Sequence, residues 1–345
     1  MMKRKKNSRV TLQDVANHAG VSRATASLIV RNSPNISEEK RNKVLKSIRE
    51  LGYVYDRVAA NLRSQQSTTV GLIITDIANP FYSELLIGVH NALEANGYTV
   101  FLGTTFDSDK KQEKLLSTML EHRVGGVILC PVSESSKETI ERISHLNVPI
   151  VLAVREIKEL NCDYVGIDYR EGAKVAVKHL ITKGHKRIAF LGGTSESSAW
   201  KERKRGYAEA LEEAGIKVEE SLIVENTVTR EGGVASVNKV LRYKERPTAA
   251  FCFNDLVARG VMQGLKDHDL TPGLDMALVG FDNVQEAAMY TPPLTTVNSF
   301  ARRIGTESAS LLHQRISNNE EDKKRIILQP ELVVRESTKL ELQRD

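Results

Sequence analysis

The sequence predicts an all-α helix-turn-helix module followed by a two-lobed α/β domain with parallel sheets. Three observations carry that prediction. The alanine-rich stretch AGVSRATASLIV, residues 19–30, is broken by a glycine and restarted by a serine. From residue 68 onward, nine short apolar runs alternate with amphipathic helical segments. The charge is also divided: residues 1–66 hold 14 Lys or Arg against 5 Asp or Glu, net +9, so the rest of this +5 chain is net −4.

The first module follows from capping and spacing. Thr11 and Asp14 have the spacing of a capping box, and Leu12, Val15, Ala16 and Ala19 then share one face, which predicts a helix over about 11–19. Glycine in a helix interior costs roughly 1 kcal/mol relative to alanine, so Gly20 marks a turn. Val21 is expected to plug the small core, and Ser22 to cap a second helix reaching about Arg31. The alanines at 16, 19, 24 and 26 allow close helix approach. Ser37, Glu38 and Glu39 open a third helix, with Val44, Leu45, Ile48 and Leu51 expected on its inner stripe and Gly52 ending it. Two short helices, a tight turn and a brace make a helix-turn-helix. Its exposed face carries Arg23, Ala24, Thr25, Ser27 and Leu28, while Arg31, Lys40, Arg41, Lys3, Arg4, Lys5 and Lys6 can meet phosphates. Arginine reads guanine bidentately, and Ala24 or Leu28 suits a thymine methyl. Charge and capping alone also fit a solvated basic tail or a helical hairpin that binds nothing.

In the larger part, VGLIIT, TVFLGTT, GGVILC, PIVLAV, YVGID, RIAFLGG, LIVENT, AAFCFN and MALVGFD read as buried strands of parallel sheets covered on both faces, too many for one small sheet. Ligands of such sheets bind beyond the carboxyl ends of the strands. Residues after successive strands are Asp76, Asn79, Phe81 and Tyr82, then Phe106 and Asp107, Arg155, Asp168, Trp200 and Arg203, Asn254 and Asp255, and Asp282. Carboxylates, amides, arginines and ring faces together suit a polyhydroxylated ligand. Helix caps and surface charges also produce many of these residues.

Residues VTLQDVANHAGVSRATASLIVRNSPNISEEKRNKVLKSIRELGYVYDRVAANL resemble the DNA-binding headpiece of the lactose/galactose repressor (LacI/GalR) family of transcription regulators. Ala26 stands where the family mostly has valine, and Leu28 at a position that is often polar and reads bases. DRVAANLR, residues 56–63, is too short to form an isolated helix; it resembles the family's hinge helix, with Leu62 matching the leucine that wedges into the minor groove. The resemblance implies a DNA-contacting set of Thr11, Ser22, Arg23, Ala24, Thr25, Ser27, Leu28, Arg31, Asn35, Val58, Ala59 and Leu62. DIANPFYSELLIGV, KGHKRIAFLGG, RKRGYAEAL, RPTAAFCFND, VGFDN and TPPLTTV continue it, implying a periplasmic-binding-protein-like domain with Asp76, Phe81, Arg203, Asp255 and Asp282 lining an effector cleft. Arg155 departs from the acidic residue common there, and an added cation suggests a sugar acid or sugar phosphate.

The expected organisation is a headpiece at 1–55, hinge and linker at 56–67, and an effector-binding and dimerisation domain at 68–345. The expected partners are operator DNA, a sugar-like effector and a second copy of the chain. The C-terminal LQRD shows no leucine heptad, so a dimer rather than a tetramer is expected. Three scattered cysteines, Cys130, Cys162 and Cys252, and no apolar stretch suited to export or membrane insertion point to the cytoplasm. No GxSxG, Walker A, HExxH or GxGxxG motif is present, and His185 in KGHKR reads as structural. No catalytic residue, metal or cofactor is assigned. Rival readings are a solute receptor, a sugar-processing enzyme and a ligand-dependent activator of the same family.

Overall fold

Short-range capping shapes the N-terminal unit. The computed structural model describes residues 10–31, 33–54, 67–133, 135–145, 148–157, 160–317 and 322–339. Its two units are residues 1–66 and 67–345. In the first, α1 (Leu12–Ala19) is closed by the Thr11–Asp14 box: the Thr11 amide donates to Asp14 Oδ2 at 2.9 Å, and the Asp14 amide to Thr11 Oγ1 at 3.3 Å. Gly20 turns the chain at φ 66°. The Thr25 amide donates to Ser22 Oγ at 3.1 Å, starting α2 (Arg23–Val30), and α3 (Glu38–Leu51) braces the pair. Val15, Ala16, Ala26, Ile29 and Val44 form the core, with Val21 packed at its edge.

Ser37 stands at the N-cap of α3, as expected, without a side-chain cap bond. One expectation for α3 is corrected. Leu45 is exposed, because Val44, Ile48 and Leu51 hold the inner stripe and Leu45 lies about 100° around the helix from Val44. The second buried position of α3 is Ser47, on the opposite flank of that stripe, whose hydroxyl donates to the Lys43 carbonyl and meets His18 Nδ1 at 3.0 Å.

The second unit holds two six-stranded sheets. The first is built from β1 (Thr69–Ile74), β2 (Thr99–Thr104), β3 (Val127–Leu129), β4 (Ile150–Ala153), β5 (Asp163–Ile167) and β11 (Arg325–Leu328), in the order β11-β5-β4-β3-β1-β2, all parallel. The second uses β6 (Ile188–Leu191), β7 (Ile223–Val224), β8 (Ala249–Cys252), β9 (Ala277–Asp282), β10 (Thr295–Asn298) and β12 (Glu331–Val333), in the order β12-β10-β9-β8-β6-β7. Only β12 runs antiparallel. Strands β10, β11 and β12 were not among the nine apolar runs; TTVN is polar, and β11 and β12 lie at sheet edges with much of their surface open.

Helices α4 (Pro80–Glu94), α5 (Asp109–Glu121) and α6 (Lys137–Ser144) belong to the first lobe. Helices α7 (Tyr169–Thr182), α8 (Ser198–Glu213), α9 (Arg230–Leu241) and α10 (Asp255–Lys266) belong to the second. The chain crosses between lobes at Asp168, at Ser299 and Phe300, and at Gln329 and Pro330; α11 (Ala301–Ser317) therefore returns to pack on α4. Arg315 on α11 grips the buried Asp163 of β5 through two 2.8 Å hydrogen bonds. Each sheet reverses its strand order once, between β1 and β3 and between β6 and β8. Those reversals open a crevice at the carboxyl ends of the strands, which is where a site is expected.

Candidate functional site

On the headpiece, the start of α2 presents Arg23, Ala24 and Leu28 to solvent, with Leu28 45% exposed. Ser22 and Thr25 have a structural duty as well, since their hydroxyls meet at 2.9 Å across the cap. Ser27 is half-buried, and Thr11, Arg31 and Asn35 are exposed. Lys40 is free to meet solvent, whereas Arg41 donates to the Ser33 carbonyl and is half-buried. Val58, Ala59, Leu62, the cations at Lys3, Arg4, Lys5 and Lys6, and the C-terminal LQRD lie outside the described residues.

In the large unit a cleft of about 420 Å³ gathers residues from both lobes at the strand ends. Asp76, Asn79, Phe81, Tyr82, Phe106, Asp107 and Arg155 line it from the first lobe, and Arg203, Asn254 and Asp282 from the second. Local rules position several of them. Asn79 caps α4 by accepting from the Phe81 amide, Asp76 accepts from the Ala78 amide, and Asn254 caps α10 by accepting from the Val257 amide. Phe81 and Tyr82 meet edge to face at 5.1 Å, and Tyr82 receives the Thr75 hydroxyl proton at 2.6 Å.

The two arginines differ in their surroundings. Arg155 donates to Asp107 and, at 3.2 Å, to the Pro131 carbonyl, while Asp107 also accepts from the Ser133 amide and hydroxyl. Arg203 is 3% exposed and boxed by rings, with its guanidinium carbon 4.3 Å from the Tyr169 centroid, 4.4 Å from Phe253 and 4.1 Å from Phe281. Its Nη1 donates to the Ala199 carbonyl, and its Nε is buried without a partner. Burial pulls its proton affinity down. Burial likewise raises the Asp282 carboxyl to about 7, against the opposing pull of Arg203. Asp282 is held at φ 111° and Asn283 at φ 55°, strained backbone at the cleft wall.

Three expected cleft residues stand elsewhere. Trp200 is buried beside the site: its indole donates to the Gly192 carbonyl at 3.1 Å and stacks on Phe190, because α8 turns Ala199 and Arg203 to the cleft and Trp200 to the core. Asp255 is fully buried behind the wall, accepting from the Thr296 hydroxyl at 2.5 Å and the Val284 amide at 2.9 Å, so it supports the turn that follows Asp282. Gly280 leaves it room, since a Cβ there would sit 2.2 Å from Asp255 Oδ1. Its carboxyl is pushed well above the usual range by burial, with Asp282 adding to the shift. Asp168 caps α7 and faces a separate recess. The sequence reading missed Tyr169, Glu196, Thr227, Thr229 and Phe253. Tyr169 and Phe253 each adjoin a residue singled out above, and Thr227 and Thr229 follow β7, a strand whose exit was never read.

Among the described residues no cluster of His, Cys, Asp and Glu could hold a metal, and no helix is long and apolar enough to cross a membrane. His185 is fully buried with Nδ1 2.9 Å from Thr248 Oγ1, a structural contact.

Residues 11–56 match the family described as "Bacterial regulatory proteins, lacI family", and residues 67–336 match "Periplasmic binding proteins and sugar binding domain of LacI family". Catabolite control protein A of Priestia megaterium is 38% identical over 331 residues, covering 96% of this chain and 99% of that one. The HTH-type transcriptional repressor PurR of Vibrio campbellii is 34% identical, covering 95% and 98%. Among solved structures, a lac repressor dimer bound to operator and the anti-inducer ONPF superposes with TM-score 0.83 at 26% identity, covering 96% of this chain and 99% of that one. A complex of the transcriptional regulator CelR with cellobiose gives TM-score 0.72 at 32% identity, covering 95% and 100%. With its helix-turn-helix unit, its two-sheet cleft domain and these matches along nearly its whole length, the chain belongs to the LacI family of DNA-binding transcription regulators.

Proposed function

We propose that this regulator is a cytoplasmic repressor that binds a palindromic operator as a homodimer and releases or tightens it on binding a neutral, polyhydroxylated small molecule in the cleft. One observation carries the choice of ligand class: Arg155, the cation that suggested an acid or a phosphate, is already paired with Asp107. With Asp76, Glu196 and Asp282 also on the walls, the cleft offers an anion no surplus of positive charge. Ring faces at Phe81, Phe106 and Phe253 and the polar groups of Asn79, Asn254, Thr194 and Thr227 match the apolar faces and hydroxyls of a sugar. The lac repressor and CelR relatives, with operator and cellobiose respectively, support the same pairing of partners. Lobe closure on the ligand shifts the population between DNA-competent and DNA-incompetent states, and by linkage the operator changes ligand affinity by the same factor.

A thermal-shift screen of the purified protein against neutral sugars, sugar acids and sugar phosphates tests the ligand class; stabilisation by charged compounds only would overturn it. Footprinting on inverted-repeat DNA with and without the best compound tests the repressor reading. In that assay Arg23→Ala weakens specific binding by roughly 1–3 kcal/mol and relaxes one base position. Leu62→Ala reduces DNA bending in a gel-phasing assay, because an apolar wedge unstacks a base step.

A further inference from the structure

We propose that Tyr169 is the positioning residue that couples the two lobes, by holding the strained turn which aims Arg155 while stacking on Arg203. The proposal rests on the effector-cleft reading above, but not on the ligand class.

Tyr169 opens α7, one residue after the chain leaves the first lobe at Asp168. Its ring lies 4.3 Å from the Arg203 guanidinium carbon, within the second lobe. Its hydroxyl points the other way and donates to the Val154 carbonyl at 2.8 Å, in the first lobe. Val154 is no ordinary acceptor. It sits at φ 69°, a region that β-branched residues rarely adopt, and the Arg155 amide donates back to the Ala153 carbonyl at 2.7 Å. A bond from residue i+2 to residue i around such a φ makes a tight three-residue turn of the strained hand. Strain of this kind persists only where neighbours over-determine it. Here the neighbours are two phenols: Tyr164, from the adjacent strand β5, donates to the same carbonyl at 3.1 Å. The turn carries the Arg155 side chain toward Asp107 and Pro131.

Both phenols brace one carbonyl, but they tie it to different bodies. Tyr164 fastens the turn to its own lobe, and Tyr169 fastens it to the other. The Tyr169 hydroxyl therefore restricts lobe rotation, whereas the Tyr164 hydroxyl restricts only the turn. Burial holds both hydroxyls protonated, so each is a permanent donor.

The experiment compares Tyr169→Phe with Tyr164→Phe in the full-length protein without ligand or DNA. Spin labels are placed at Lys114→Cys on α5 and Lys239→Cys on α9, both exposed positions, in a Cys162→Ser background that leaves the two buried cysteines. Double electron–electron resonance then reads the distance distribution between lobes. Tyr169→Phe is expected to broaden that distribution about twofold, while Tyr164→Phe leaves it at the parent width. Identical parent and Tyr169→Phe distributions would overturn the proposal, as would equal broadening by both variants, which marks a purely structural role. Since no ligand is present, a wrong ligand class leaves the measurement unaffected.

Discussion

Arg155 and Arg203 face the same cleft from opposite lobes, yet their surroundings give them opposite availability. Arg155 has a carboxylate and a carbonyl within hydrogen-bond reach, so its charge is answered before any ligand arrives. Arg203 is walled by three rings, answered by one carbonyl, and left with a buried Nε lacking a partner. A buried donor left unpaired costs roughly 1–3 kcal/mol, which on the proposed reading a hydroxylated ligand would offset. The comparison teaches that a cation in a cleft is a ligand group only to the extent that the protein has not already satisfied it.

The largest expected effect on ligand affinity breaks the free member of the pair. Arg203→Met keeps an unbranched apolar stem among the rings and removes the fork of donors. Isothermal titration with whichever sugar stabilises the parent should show affinity lowered roughly 30- to 100-fold, about 2–3 kcal/mol. The ligand-free melting temperature should not fall, because replacing a buried, poorly paired cation with an apolar side chain is often neutral or stabilising. A variant that binds normally would place the ligand elsewhere.

A smaller effect comes from making Arg155 resemble Arg203. Asp107→Asn leaves the Ser133 contacts a hydrogen-bonding partner but removes the charge that answers Arg155. Competition between a neutral sugar and its acid counterpart should shift about tenfold toward the acid. No change in preference would mean that Asp107 is not what neutralises Arg155.

The third effect is read on stability rather than affinity and concerns Asp282, beside Arg203. Its carboxyl titrates near 7 in the folded chain against 3.8 for the ordinary group. Between those values the folded state keeps a proton that the unfolded state has lost, so this group's contribution makes stability fall as pH rises from about 4 to about 7, and level off above. Asp282→Asn removes the titration. Thermal melts should therefore show the variant gaining on the parent across that window and holding a constant margin at higher pH; a margin independent of pH would show that Asp282 is not the titrating group.

Much of the architecture was legible because it is local. The Thr11–Asp14 box, the Gly20 turn, the Ser22 cap and nine of the strands follow from residue types at fixed short spacings. The strand-exit rule located most of the cleft, since any parallel strand delivers its next residues to one edge. Three of the misplaced residues share a feature: their direction depends on a neighbour distant in sequence, whereas Asp168 is turned aside by its own local cap on α7. Leu45 and Trp200 each lie one helical position from a residue on the stripe assigned to them, and which side faces inward depends on packing against other elements. Asp255 adjoins the cleft residue Asn254 but turns to Thr296 and Val284.

The sequence alone determined that a cationic helical unit precedes an acidic α/β unit, and where the helices of the first unit start, turn and end, because those choices are made within a few residues of chain. The tertiary structure alone decided which arginine is satisfied. The Arg155–Asp107 pair spans 48 residues, and the rings around Arg203 come from three separate strand or helix ends. Such partners meet only after two sheets have assembled and the chain has crossed between them three times, and no local spacing encodes that encounter.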